Sequence, residues 1–222
     1  MKLFRNRTSL LYLILIMAPL FFGCRGRVKE ENKIIASASS APLSRVTSEK
    51  YSIDKKVSVV TWKGSKVFAP EQAHTGYVYV SKGELMIEKG QLAGGAVEVD
   101  MNTITDPVHG SDNDLINHLK DADFFDVKKF PITTFVITRV ASVNAENINV
   151  TGNLTIKGIT HAVTFPAKIE VKGEIVNAIG KVTIDRTKWD VRYNSGKFYD
   201  NLADKAISDD IEFDMKIVAT KD

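Results

Sequence analysis

The residues able to do chemistry are few and scattered. Four histidines, His74, His109, His118 and His161, lack the H-x-H or H-E-x-x-H spacing that brings imidazoles to one metal. Asp106, Asp112 and Asp114 crowd His109 and could attract a cation, but a polar loop running into a helix cap accounts for them more simply. His118 stands beside Leu119 near a predicted helix end, where an imidazole suits the helix dipole without any catalytic role. No Ser/His/Asp order and no glycine-rich phosphate loop stands out. The reading is a protein that is not an enzyme and that calls for neither metal nor cofactor. Cys24 is the sole cysteine, so no intrachain disulfide is expected and the fold must rest on its core.

Positions of a different kind draw notice between Asn117 and Phe135, NHLKDADFFDVKKFPITTF. Phe124 and Phe125 stand side by side between Asp123 and Asp126, in a loop that leads from a helix to a strand. Burying one such ring is worth about 1.5–3 kcal/mol, so at least one should turn into the body of the protein. Pro131 presets an extended entry into the strand that follows.

The elements that would hold these residues are strands. Period-two alternation is cleanest in Asn147–Lys157 (Ile148, Val150, Leu154, Ile156), in His161–Lys172 (Val163, Phe165, Ile169, Val171) and in the last run (Ile211, Phe213, Met215, Ile217). Weaker versions cover Val57–Lys63, Tyr77–Lys82, Glu84–Glu88, Val97–Thr103, Ile132–Val140 and Val176–Ile184. One apolar and one wet face mark antiparallel sheet. Turn signals at Lys89-Gly90, Asn144–Asn147, Lys157-Gly158 and Lys172-Gly173 put the strands in hairpin order. About eight such strands form either a sandwich or a closed barrel. A helix interrupts them at about Asp112–Lys120, capped by Ser111 or Asp112, with Leu115, Ile116 and Leu119 as its apolar stripe. Whether the interior is packed or hollow is open at this point, because an eight-stranded barrel can do either. Gly94, Gly95, Ala96, Gly152, Ala178 and Gly180 would make room for a chain or let the sheet coil.

The chain has 222 residues and a formal charge of +3. Lys2, Arg5 and Arg7 lie in residues 1–23 with no acid among them, and taking these three away leaves 27 basic against 27 acidic residues. That balance gives no reason to expect a nucleic-acid partner. Residues 1–23 read as a signal peptide: a basic start, an apolar run from Leu10 to Phe22, then Gly23-Cys24. The sequence Leu20-Phe21-Phe22-Gly23 before Cys24 resembles a bacterial lipobox, with Phe21 where a smaller aliphatic residue is usual. Lipidation at Cys24 is therefore expected, and with it a membrane partner at the bacterial cell envelope, facing the periplasm or the cell surface. Residues 24–48 read as a flexible tether; its 24 or so residues would reach roughly 25–30 Å. Residues 49–222 read as one domain.

Four segments carry a family likeness. Leu119–Ile132 (LKDADFFDVKKFPI), Val150–Phe165 with its G-x-L-T-x-x-G, Ile184–Val191 (IDRTKWDV) and Asp210–Ala219 (DIEFDMKIVA) resemble, in order and spacing, the YceI-like family. Lys66–His74 departs from it and reads as an altered loop. The resemblance implies an all-β, lipocalin-like antiparallel barrel of about eight strands with one short helix. It implies that a long isoprenoid, such as a polyprenyl quinone or polyprenyl phosphate, is the partner held inside. Related proteins are often dimers, so a homodimer is a further expectation. For the isoprenoid tail the inward-facing candidates are Val99, Phe135, Leu154, Ile156, Phe165, Val182, Trp189, Phe213 and Met215, with Phe124 and Phe125 at the mouth. Arg186 fits the family arginine; it faces a head group or pairs with Asp185, Asp190 or another acid, and the pair is favoured. The alternative is a lipid-anchored interaction or adhesion module with a solid barrel and no ligand.

Overall fold

The computed structural model describes residues 48–108 and 110–222. The expected signal peptide, most of the tether, Cys24 and His109 lie outside the described residues.

Among the described residues nine strands follow one another: β1 (Glu49–Ile53), β2 (Val59–Lys66), β3 (Ala69–Glu88), β4 (Gln91–Thr105), β5 (Ile132–Ser142), β6 (Asn147–Ile156), β7 (Ile159–Lys172), β8 (Ile175–Asp185) and β9 (Asp210–Lys221). The helix α1 (Asp114–Lys120) lies between β4 and β5. All pairings are antiparallel, and the sheet closes because β3 pairs with β4 on one side and with β1 and β2 on the other. β1 and β2 occupy one stave, both lying between β3 and β9. The result is a closed antiparallel barrel of eight staves.

Within the shared stave the chain steps aside at residues 54–58. Ser58, 1% exposed, bridges the gap: its Oγ donates to the Val218 carbonyl at 3.2 Å and accepts from the Val218 N–H at 3.0 Å. No buried backbone group of Val218 is left without a partner, which is why the wall tolerates the interruption.

Several expectations are refined. β1 lies before the first predicted strand. The two runs Tyr77–Lys82 and Glu84–Glu88 fuse through Gly83 into the single strand β3. Lys66–His74 is a tight hairpin rather than an altered loop, with β2 ending at Lys66 and β3 starting at Ala69. The helix is capped by Asn113, whose side chain accepts from the Ile116 N–H, and not by Ser111 or Asp112. An Asn at this position satisfies a helix-end N–H as well as Ser or Asp does.

The two ends of the barrel differ. At one end lie the β3–β4, β5–β6 and β7–β8 turns, and buried Tyr51, Ile87, Val176 and Ala219 fill the interior there. At the other end lie α1, residues 121–131 and the long β8–β9 connection, over a second cluster built on Trp62, Val78, Met101, Ile104 and Phe124. Trp62 is the cross-strand partner of Gly76, and a methyl at Gly76 would run into the indole and the Thr105 carbonyl. Gly76→Ala is therefore expected to lower unfolding stability by about 1–3 kcal/mol. Urea titration checks this; a change under about 0.5 kcal/mol would mean the ring moves aside freely.

Candidate functional site

Between the two clusters the barrel is hollow. The void has a volume of about 210 Å³ and opens at a mouth. Almost every atom on its wall is apolar, from side chains such as Val78, Leu85, Val99, Met101, Val150, Phe165 and Met215. Several inward-facing residues (Phe135, Val163, Val182, Phe213, Met215) are only half-buried, whereas Val176 and Ala219 at the filled end are 0% exposed. Their exposure is to the void. Wall atoms that face empty space forgo the dispersion contacts that a filled interior would supply. The cavity's apolar wall offers water too few hydrogen-bonding partners to occupy it well.

The segment 117–135 forms one side of the mouth. After α1 the chain folds tightly on itself: the N–H groups of Phe124, Phe125 and Val127 donate to Asp121, Leu119 and Lys120 carbonyls at 3.0–3.2 Å. Asp126 takes a left-handed φ of 48° to complete the turn. This aims both rings inward, Phe124 at 5% exposure and Phe125 partly covered, with their centroids 5.1 Å apart and edge to face. Phe124 also lies against Tyr193 (6.4 Å) and His118 (5.9 Å), so the helix and the β8–β9 connection meet on this one ring.

Arg186 is the polar centre of the mouth. It lies at the end of β8 and is 1% exposed. Its Nε donates to the Ser208 carbonyl at 2.9 Å, one terminal nitrogen to Val191 at 2.7 Å and the other to Ile207 at 3.2 Å. The acid it meets is Asp209, at 3.7 Å. Asp190 instead pairs with Arg192, and Asp185 pairs with Lys197. The guanidinium carbon lies 5.6 Å from the Phe124 ring centre. Burial pulls the Arg186 pKa down, against the opposing pull of Asp209 and Asp185. Arg186 thus ties the β8–β9 connection over the mouth while still reaching the cavity wall.

Asp185 caps the turn Arg186–Trp189 by accepting from the Thr187 N–H and hydroxyl. Burial pushes its pKa up, but the bonds from Lys197 and Thr187 outweigh that and hold the carboxyl below its ordinary value. A group held low contributes its stability in full above the unfolded aspartate value of about 3.9, and loses it as pH falls through the lower folded value. Below about pH 4 the urea midpoint should fall more steeply for the wild type than for Asp185→Asn. Parallel slopes would remove Asp185 from the acid response.

Of the twelve candidates named from the sequence, Val99, Phe124, Phe125, Phe135, Leu154, Ile156, Phe165, Val182, Arg186, Phe213 and Met215 line the cavity. Trp189 does not. The β7–β8 ladder stops at Ala167↔Gly180, next to Pro166, which has no N–H to donate. The turn Arg186–Trp189 packs beside this opening. Trp189, 1% exposed, donates from Nε1 to the Leu154 carbonyl at 3.1 Å and packs on Ile156, Ile184 and Ile211. His161 lies against the same indole and bonds the Lys188 carbonyl at 2.9 Å. Trp62, Leu85 and Met101 line the cavity without having been singled out, although the alternation of their strands pointed them inward; Leu92 lines it too, from a stretch that no predicted strand covered. Among the described residues no group of three or more His, Cys, Asp and Glu side chains is placed to hold a metal ion.

Residues 51–219 match the YceI-like domain. A UPF0312 protein of Pseudomonas putida is 32% identical over 132 residues, 56% of this chain and 64% of that protein. Protein YceI of Salmonella arizonae is 31% identical over 107 residues, 46% of this chain and 54% of that protein. The chain thus spans just under two thirds of the first relative and about half of the second. In structure the barrel is similar to Burkholderia cenocepacia BcnA, with a TM-score of 0.62, 24% identity, and coverage of 76% of this chain and 99% of that one. It is also similar to a polyisoprenoid binding domain from Saccharophagus degradans, with a TM-score of 0.57, 12% identity, and coverage of 78% and 98%.

Proposed function

The chain belongs to the YceI-like domain family, and from this premise we propose that its barrel binds one long isoprenoid lipid, such as a polyprenyl quinone or polyprenyl phosphate. The tail lies in the cavity and the head group at the mouth, near Arg186 and the Phe124–Phe125 pair. The observation that carries the reading is the apolar void itself, which is costly to leave empty and has the apolar lining that a chain of methyl-branched prenyl units needs. The polyisoprenoid binding domain from Saccharophagus degradans, which shares the fold, supports it.

The energetics favour exchange over storage. A buried methylene is worth about 0.8 kcal/mol when it leaves water, but a prenyl lipid starts in a bilayer that is already apolar. The net gain comes from fit and from the head group. Lipidation at Cys24 would supply proximity, raising the local concentration at a cell-envelope membrane without a new contact. Both the anchor and the envelope location belong to this proposal.

The test is to purify the full chain from a bacterial envelope, extract it and identify bound lipids by mass spectrometry against a mock purification. About one equivalent of a prenyl compound is the expected result. A folded protein that carries none, and that takes up neither quinones nor polyprenyl lipids on reloading, would sink the proposal.

A further inference from the structure

The barrel wall is not laddered all round. β4 and β5 are paired only from Ala96↔Val136 to Asp100↔Ile132, so Gln91–Gly95 and Ile137–Ser142 run past the last rung. This opening lies at the end of the barrel opposite α1. Outside it is a polar cleft walled by residues including Gln91, Ser142, Glu146 and Lys172. Leu92 and Ile148 wall both this cleft and the inner cavity, and among the described residues they alone do so. They are 8% and 5% exposed. The rest of that end is closed: Tyr51, Ile87, Val176 and Ala219 are at most 1% exposed, and the Tyr51 hydroxyl donates to the Gly173 carbonyl at 3.1 Å.

We propose that Leu92 and Ile148 are the floor that sets how long an isoprenoid chain the barrel accepts. The inference rests on the reading above that the occupant is an isoprenoid. A prenyl chain enters from the mouth and fills the cavity one unit after another. A chain that is too long must displace something at the bottom. The packed Tyr51 side has no room to give. Leu92 pairs with Ile87 of β3 but has no β5 partner, so its strand segment is held on one flank only and has room to give on the other. A chain end that passed Leu92 and Ile148 would meet the polar cleft and water, and would lose the burial that favours binding. Wild-type protein should therefore cut off sharply at one chain length.

The full chain is offered a competing mixture of all-trans polyprenols graded in length, and the bound fraction is identified by mass spectrometry. Leu92→Ala and Ile148→Ala should move the preferred length up by at least one prenyl unit, enriching the species beyond the cutoff about tenfold or more. Leu92→Phe should move it down. Val171→Ala, which changes the cleft but not the cavity, should leave it in place. Thermal melts identify variants that fold, and Leu92→Phe decides the matter where the truncations do not. Wild-type protein that loads, with folded Leu92 variants of unchanged length preference, overturns the floor and leaves isoprenoid binding standing. Wild-type protein that loads no polyprenol of any length overturns both.

Discussion

Arg186→Met is expected to lower unfolding stability by about 3–5 kcal/mol, the range for removing one partner of a buried charge pair. Methionine matches the aliphatic stem but donates nothing. The carbonyls of Val191, Ile207 and Ser208 would each lose a charge-assisted hydrogen bond, and Asp209 would lose its buried cation. Each acceptor left unmet in the interior costs about 1–3 kcal/mol, less where water reaches it. Lys197 holds the other carboxylate oxygen of Asp209 at 3.2 Å and offsets part of the loss. Arg186→Lys should recover little. An ammonium keeps the charge, but its three donors fan from one atom and cannot match three carbonyls set around a planar fork. Urea unfolding of both variants decides this. A loss under about 1 kcal/mol for Arg186→Met would show that the β8–β9 connection is held by its apolar contacts alone.

Ala178→Trp is expected to abolish lipid loading while sparing the fold. Ala178 lies on β8 between Ile169 and Ile217, with its side chain on the cavity wall. An indole there enters the void, so the usual cost of overpacking, about 1–3 kcal/mol, is offset by the room available. Bound isoprenoid should fall by about tenfold or more, because a ligand drawn from a bilayer depends on fit and has little hydrophobic gain in reserve. Asn177→Trp is the control. Its side chain is one residue away and points outward, so the same bulk should leave loading unchanged. The measurement is lipid per protein after extraction, alongside a thermal melt. A full equivalent of lipid on folded Ala178→Trp would move the binding site out of the barrel.

Much of this was legible in the chain. Alternation in 147–157, 161–172 and 211–217 named the inward face residue by residue, since a strand gives each side chain only two directions. The paired rings at Phe124 and Phe125 had to go inward because leaving both in water is costly, and both face the cavity. Trp189 was misread for a reason of the same kind. It looked like another inward aromatic, but Pro166 ends the β7–β8 ladder and Trp189 packs beside the gap; no pattern local to residues 184–191 signals a missing rung on another strand. The partners of Arg186 were equally hidden. Every residue carries a backbone carbonyl, so the sequence points to acids such as Asp185 and Asp190 but cannot say which three carbonyls a loop will bring round.

By itself, then, the sequence determined strand direction, hairpin order and the family, because these are set by neighbours a few residues apart and by motifs read in line. Only the tertiary structure decided that the barrel is hollow toward the α1 end and filled at the other. Cross-barrel distance depends on how many staves close, how they are staggered and which bulky side chains meet in the middle. Those meetings join residues as far apart as Tyr51 and Gly173, and periodicity carries no information about them.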